Sequence, residues 1–131
     1  MKFMTLTFLT TVIFLGVLAI PPHLAAQNAS SEIVIFDAPG ADTTAGSGNG
    51  TFPNSVNDAG AITGHYTDAH NVNHGFLRSP GGKFTTFEAP GAGTTAGSGS
   101  GTFANSINDA GAITGRYTDA HNVNHGFLRI P

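Results

Sequence analysis

Ser55–Arg78 reads SVNDAGAITGHYTDAHNVNHGFLR, and Ser106–Arg129, fifty-one residues later, reads SINDAGAITGRYTDAHNVNHGFLR. Extending the alignment to Phe36–Pro80 against Phe87–Pro131 gives 45 positions with seven differences. These are Asp37/Glu88, Asp42/Gly93, Asn49/Ser100, Pro53/Ala104, Val56/Ile107, His65/Arg116 and Ser79/Ile130. A tandem repeat of this length must bury its apolar side chains within one unit or against the next, and a period near fifty points to propellers, solenoids or arrays. The copies are so alike that identity between them says little about which residues matter.

The apolar residues alternate or sit in short runs, with no helical stripe, so the unit is expected to be all-β. Four strands are expected. Strand a is Glu32–Asp37, repeated as Lys83–Glu88 and rich in β-branched and aromatic residues. A Gly/Ala/Thr/Ser loop, Pro39–Gly50, follows. Strand b is Thr51–Val56, strand c Ala61–Thr67 and strand d Val72–Arg78. The turn Asn57-Asp58-Ala59-Gly60 joins b to c, and Asp68–Asn71 joins c to d. In these turns Asn and Asp bond their own backbone while Gly takes the positive φ. Asn57, Asp58 and Gly60, with Asn108, Asp109 and Gly111 in the second copy, are therefore expected to be structural. The His65/Arg116 difference suits an exposed position and Val56/Ile107 a buried one. Phe76 and Leu77 are neighbours in strand d, so both faces of the sheet carry apolar side chains and need cover. Gly64 and Gly75 suit close approach of a neighbouring sheet.

The pattern IND-x-G-x-I-x-G-x-Y-x-D followed by His-Gly-Phe-Leu resembles the HAF-type extracellular repeat, named for a His-Ala-Phe triplet. The triplet here is His74-Gly75-Phe76 and His125-Gly126-Phe127. The resemblance spans nearly all of the chain beyond the leader. It implies secreted bacterial proteins with propeller-like arrays and no assigned activity. Members carry several repeats, whereas this chain has two. The fold expected is two tandem four-stranded antiparallel blade-like repeats, a partial β-propeller, preceded by a helical signal peptide. Residues 1–26 form the leader, 27–31 a linker, 32–82 the first repeat and 83–131 the second.

The leader reads Met1-Lys2, then an uncharged apolar run from Phe3 to Ile20, then Pro21-Pro22-His23-Leu24-Ala25-Ala26. That order matches a secretory signal cleaved after Ala26, with no basic stop-transfer cluster behind it. A secreted or periplasmic protein is expected, with no membrane contact after cleavage. With the leader removed, Lys83, Arg78, Arg116 and Arg129 face eight carboxylates, a net charge of −4 with neutral histidines. No basic patch is available for a phosphate backbone, so nucleic acid is not an expected partner. The chain has no cysteine, which excludes disulfides and thiolate chemistry. Packing and hydrogen bonds must hold it.

Two blades leave a problem of cover, because propellers close with about four to eight. A homo-oligomer completing a ring is one answer, two sheets folded face to face another, and a truncated member the third.

His70 and His74, like His121 and His125, are four apart. On a helix that spacing chelates a metal. In a strand it spans about 13 Å, and the helical-protease Glu is missing. His74 and His125 are instead expected to be buried or half-buried, bonding the b–c turn near Asn57 and Asp58. Asp58, Asp68, Asn71 and Asn73 lack the order of a calcium loop. Ser55 and Ser106 lack a nucleophile elbow. Neither catalytic, metal-binding nor cofactor-binding residues are assigned. The function expected is a non-enzymatic binding surface for carbohydrate, the cell envelope or a partner protein. A fragment without its own function, and a His-based metal or hydrolytic domain, are the alternatives.

Overall fold

The computed structural model describes residues 31–131, so the leader and all but the last residue of the linker lie outside the described residues. The described residues hold seven strands and no helix: β1 Gly50–Val56, β2 Ile62–Thr67, β3 Asn73–Arg78, β4 Phe84–Phe87, β5 Gly101–Ile107, β6 Ile113–Thr118 and β7 Asn124–Arg129. They form one curled, mixed sheet shaped as a half-barrel. Residues Ile35–Pro131 are one compact unit.

Strands b, c and d form in both copies, within a residue of their expected starts. β1, β2, β3 and β4 make an antiparallel meander. β5, β6 and β7 make the corresponding three-stranded one. A single parallel pairing, Asn73 with Gly101, joins the two. Each b strand carries a register shift, between Pro53 and Ser55 and between Ala104 and Ser106, where one residue too many opposes the partner strand.

Strand a behaves differently from expectation. Residues 32–37 are in no strand. Their counterpart in the second copy is β4, and it pairs with β3 of the first copy (Gly75↔Phe87, Phe76↔Thr86, Leu77↔Thr85, Arg78↔Phe84). The physical reason is that strand a needs the d strand of a preceding unit as its template. The folded unit is therefore b-c-d followed by the next a, not a-b-c-d.

Side-chain alternation in β3 splits the core. Phe76 is fully buried with Ala38 and Tyr66, against Phe36, Ala41, Ile62 and Phe84. Leu77 faces the other way, toward Ala104, Ile107 and Ile113, with Ala61, Phe87 and Phe127. The first meander is thus covered on both faces. In the second copy Leu128 is 60% exposed. Ile107 is buried as expected, but Val56 is exposed. The difference is one of place: Ile107 lies between the meanders and Val56 on an outer strand. His65 is also not simply exposed. It stacks on Phe52 (4.9 Å) and meets Phe103 at 5.0 Å, between the two meanders, whereas its counterpart Arg116 is exposed and lies over Phe103 at 3.9 Å.

Candidate functional site

The two polar turns are built alike in both copies. Asn57 Oδ1 accepts from Ala61 N (2.9 Å) and Asn108 Oδ1 from Ala112 N (2.9 Å). Gly60 and Gly111 have φ of 81° and 80°, the region that turn chemistry reserves for glycine. The same turns also join the copies. Asn57 Nδ2 donates to Asn108 O (3.2 Å), Asp58 N to Asp109 Oδ1 (3.0 Å) and Ile107 N to Ser55 Oγ (3.3 Å).

In the c–d turn, Asp68 Oδ1 accepts from His70 N and Val72 N, both at 2.9 Å. Asp119 Oδ1 accepts from His121 N and Val123 N, both at 2.8 Å. Burial pushes the Asp68 carboxyl up, but these amides and His74 outweigh it and hold it below the usual carboxylate range. At Asp119 the Val123 amide contributes most to the same lowering. Asp42 is drawn down to about 2 by Thr44, hydroxyl and amide, and by Asn49.

His74 is half-buried, but its partners are not Asn57 and Asp58. Antiparallel register sets it opposite Tyr66, at the c–d end of the sheet rather than the b–c end. There Nε2 meets Asp68 Oδ2 (3.3 Å) and Nδ1 meets Glu88 Oε1 (2.5 Å), while the ring stacks on Tyr66 at 4.9 Å. Burial, with the charges of Glu88 and Asp68, pushes the Tyr66 phenol up. Glu88 Oε2 accepts from the fully buried Thr102 hydroxyl (2.8 Å), whose oxygen accepts from Ala89 N (2.9 Å). The network Asp68–His74–Glu88–Thr102 crosses from the first copy to the second. In the second copy His125 keeps the Asp119 contact, at 3.3 Å, and the stack on Tyr117, at 4.9 Å, but has no second carboxylate partner among the described residues, and its side chain is 42% exposed against 21% for His74.

Thr102 was not singled out by sequence, and Glu88 was weighed with Asp37 only as a carboxylate pair for glycoside chemistry and set aside because the two lie one per repeat. The available signal was that an acid precedes Ala-Pro-Gly in each copy. In the first copy Ala38 N likewise donates to Thr51 Oγ1 (2.8 Å), and that hydroxyl reaches Asp37 at 3.5 Å. No serine or threonine hydroxyl bonds a histidine among the described residues, and no three of their His, Asp and Glu side chains converge as a metal site would. His70 stands at the turn tip, its side chain exposed.

A cleft of about 230 Å³ lies beside the second c–d turn, lined by Thr95, Ser98, Ser100, Asp119, Ala120 and Asn122. Hydroxyl, carboxylate and amide groups converge there. Asn73 closes the opposite side of the same loop, donating from Nδ2 to Gly99 O at 2.9 Å and Ser100 O at 3.2 Å. Comparison with family models, with curated proteins and with solved structures finds no match to this chain.

Proposed function

We propose that the chain is a non-enzymatic β-repeat protein of the cell exterior, a partial β-propeller that presents a polar surface to a carbohydrate of the cell envelope. The observation that carries this reading is the cleft of Thr95, Ser98, Ser100, Asp119 and Asn122. Its groups are those that exchange hydrogen bonds with sugar hydroxyls, and a loop held on a rigid sheet is where binding groups are usually placed. The titratable side chains support the same reading. Asp68, Asp119, His74 and Glu88 are engaged in holding turns and joining the copies. The low count of cations leaves nucleic acid outside the proposed partners.

Glycan-array binding of the folded protein tests the proposal. A defined set of glycans should be retained, and Thr95→Arg, which fills the cleft from an exposed loop position, should abolish retention with an unchanged melting temperature. A folded protein that retains no glycan, or whose Thr95→Arg variant retains the same set, overturns it.

A further inference from the structure

β7 is the last strand in the sheet order and pairs only with β6. Its counterpart β3 pairs with β2, with β5 at a single position, and with β4, the a strand of the following copy. The corresponding a strand of the first copy is Ile33–Phe36, and nothing in the sheet pairs with it. Its Ile33, Val34 and Ile35 are 86%, 60% and 89% exposed. Among the described residues there is thus one segment without a template and one edge without the strand that its repeat partner carries.

Two further features match. A Cβ added at Gly75 would strike the Phe87 ring at 2.7 Å, because an edge of that ring occupies the space the glycine leaves. A Cβ at Gly126 meets only a carbonyl oxygen at 4.0 Å, so the same aromatic slot stands open on β7. Phe36 is the residue equivalent to Phe87. Nδ1 of His74 is bonded by Glu88, whereas Nδ1 of His125 has no carboxylate partner among the described residues, and Asp37 is the residue equivalent to Glu88. The chain just beyond this segment is already set for the role. Ala38 N is fixed on Thr51 Oγ1 at 2.8 Å, as Ala89 N is on Thr102 Oγ1 at 2.9 Å.

We propose that Ile33–Phe36 of one copy of the chain adds as an antiparallel strand to the β7 edge of a second copy, head to tail. The register follows from β3 and β4: Gly126↔Phe36, Phe127↔Ile35, Leu128↔Val34 and Arg129↔Ile33. Asp37 then reaches His125, and Leu128 gains the cover that Leu77 already has. Added strands of this kind bind through main-chain hydrogen bonds and draw specificity from alternate side chains. Of the other open edges, β1 contains Pro53 and a register shift, and β4 has four residues. Both features blunt pairing, and β7 has neither. The contact is heterologous, so copies close into a ring if the rotation between them permits and otherwise extend as a filament. The inference concerns assembly and holds whether or not the cleft binds a glycan.

The chain has no cysteine, so an introduced pair reports its own geometry. Opposed residues of an antiparallel pair lie within disulfide reach. Full-length protein carrying Val34→Cys and Leu128→Cys should form disulfide-linked multimers under mild oxidation, and either single variant should give no more than a symmetric dimer. Leu77→Cys with Thr85→Cys, the same register inside one chain, should form an intramolecular bond and serves as the control for folding. Val34→Pro should reduce the mass found by light scattering to that of one chain. A Val34→Cys/Leu128→Cys protein that links only within one chain, or fails to link while the control does, overturns the proposal. So does a wild-type protein that stays a single chain at all concentrations.

Discussion

Asp68 and Asp119 each hold a turn with one carboxylate oxygen bound by two amides, leaving the other oxygen for a histidine. Such acceptors favour the ionised form. Their folded pKa values lie below the unfolded ones, as does that of Asp42. Their contribution to stability is therefore present above the ordinary carboxylate range and lost as pH falls through the lowered values. His65 adds a step at higher pH. Burial first, then the Arg116 guanidinium, pushes its pKa below 6.5. The unfolded chain then takes up the proton first, so this stability is complete above about pH 6.5 and declines below it. The thermal midpoint of the wild type should fall between about pH 7.5 and about pH 5.5 by more than that of His65→Gln; equal declines would remove His65 as the cause. Gly60→Val should cost about 1–3 kcal/mol, because a β-branched side chain is forced to positive φ, and denaturant unfolding would show it. The turn residues were legible in the sequence because turn chemistry is local. The partners of His74 were not, because Glu88 arrives from the next copy, fourteen residues on.

At the level of elements, b, c and d were readable from alternation and turn spacing. Strand a was readable as a strand but not in its place, since its pairing depends on a d strand outside its own repeat. The same dependence separates identical residues. Phe76 is fully buried in a cluster against which Phe36 and Phe84 pack, while Phe127 is only partly buried. Phe76→Ala should cost about 3–5 kcal/mol. Phe127→Ala should cost clearly less when both are measured by denaturant titration at high dilution, where copies are apart. Equal losses would mean that the second meander is as well covered as the first. Cleft and network were the least legible features, because the cleft groups come from a loop and a turn with no periodic signal and the network joins residues of different strands across the two copies.

For the molecule as a whole, asymmetry between nearly identical halves is the dominant fact. One meander has four strands and two covered faces; the other has three strands and an exposed Leu128. The all-β class followed from composition and period. The offset between sequence repeat and folded unit did not, because 45 aligned positions look the same in either phase. That offset sets an order of events as the chain emerges during synthesis. When residue 82 appears, the first sequence repeat is complete but its sheet lacks β4. The edge of β3 stays open until Phe84–Phe87 follows, and a nascent chain halted between those points exposes the edge that the finished protein hides.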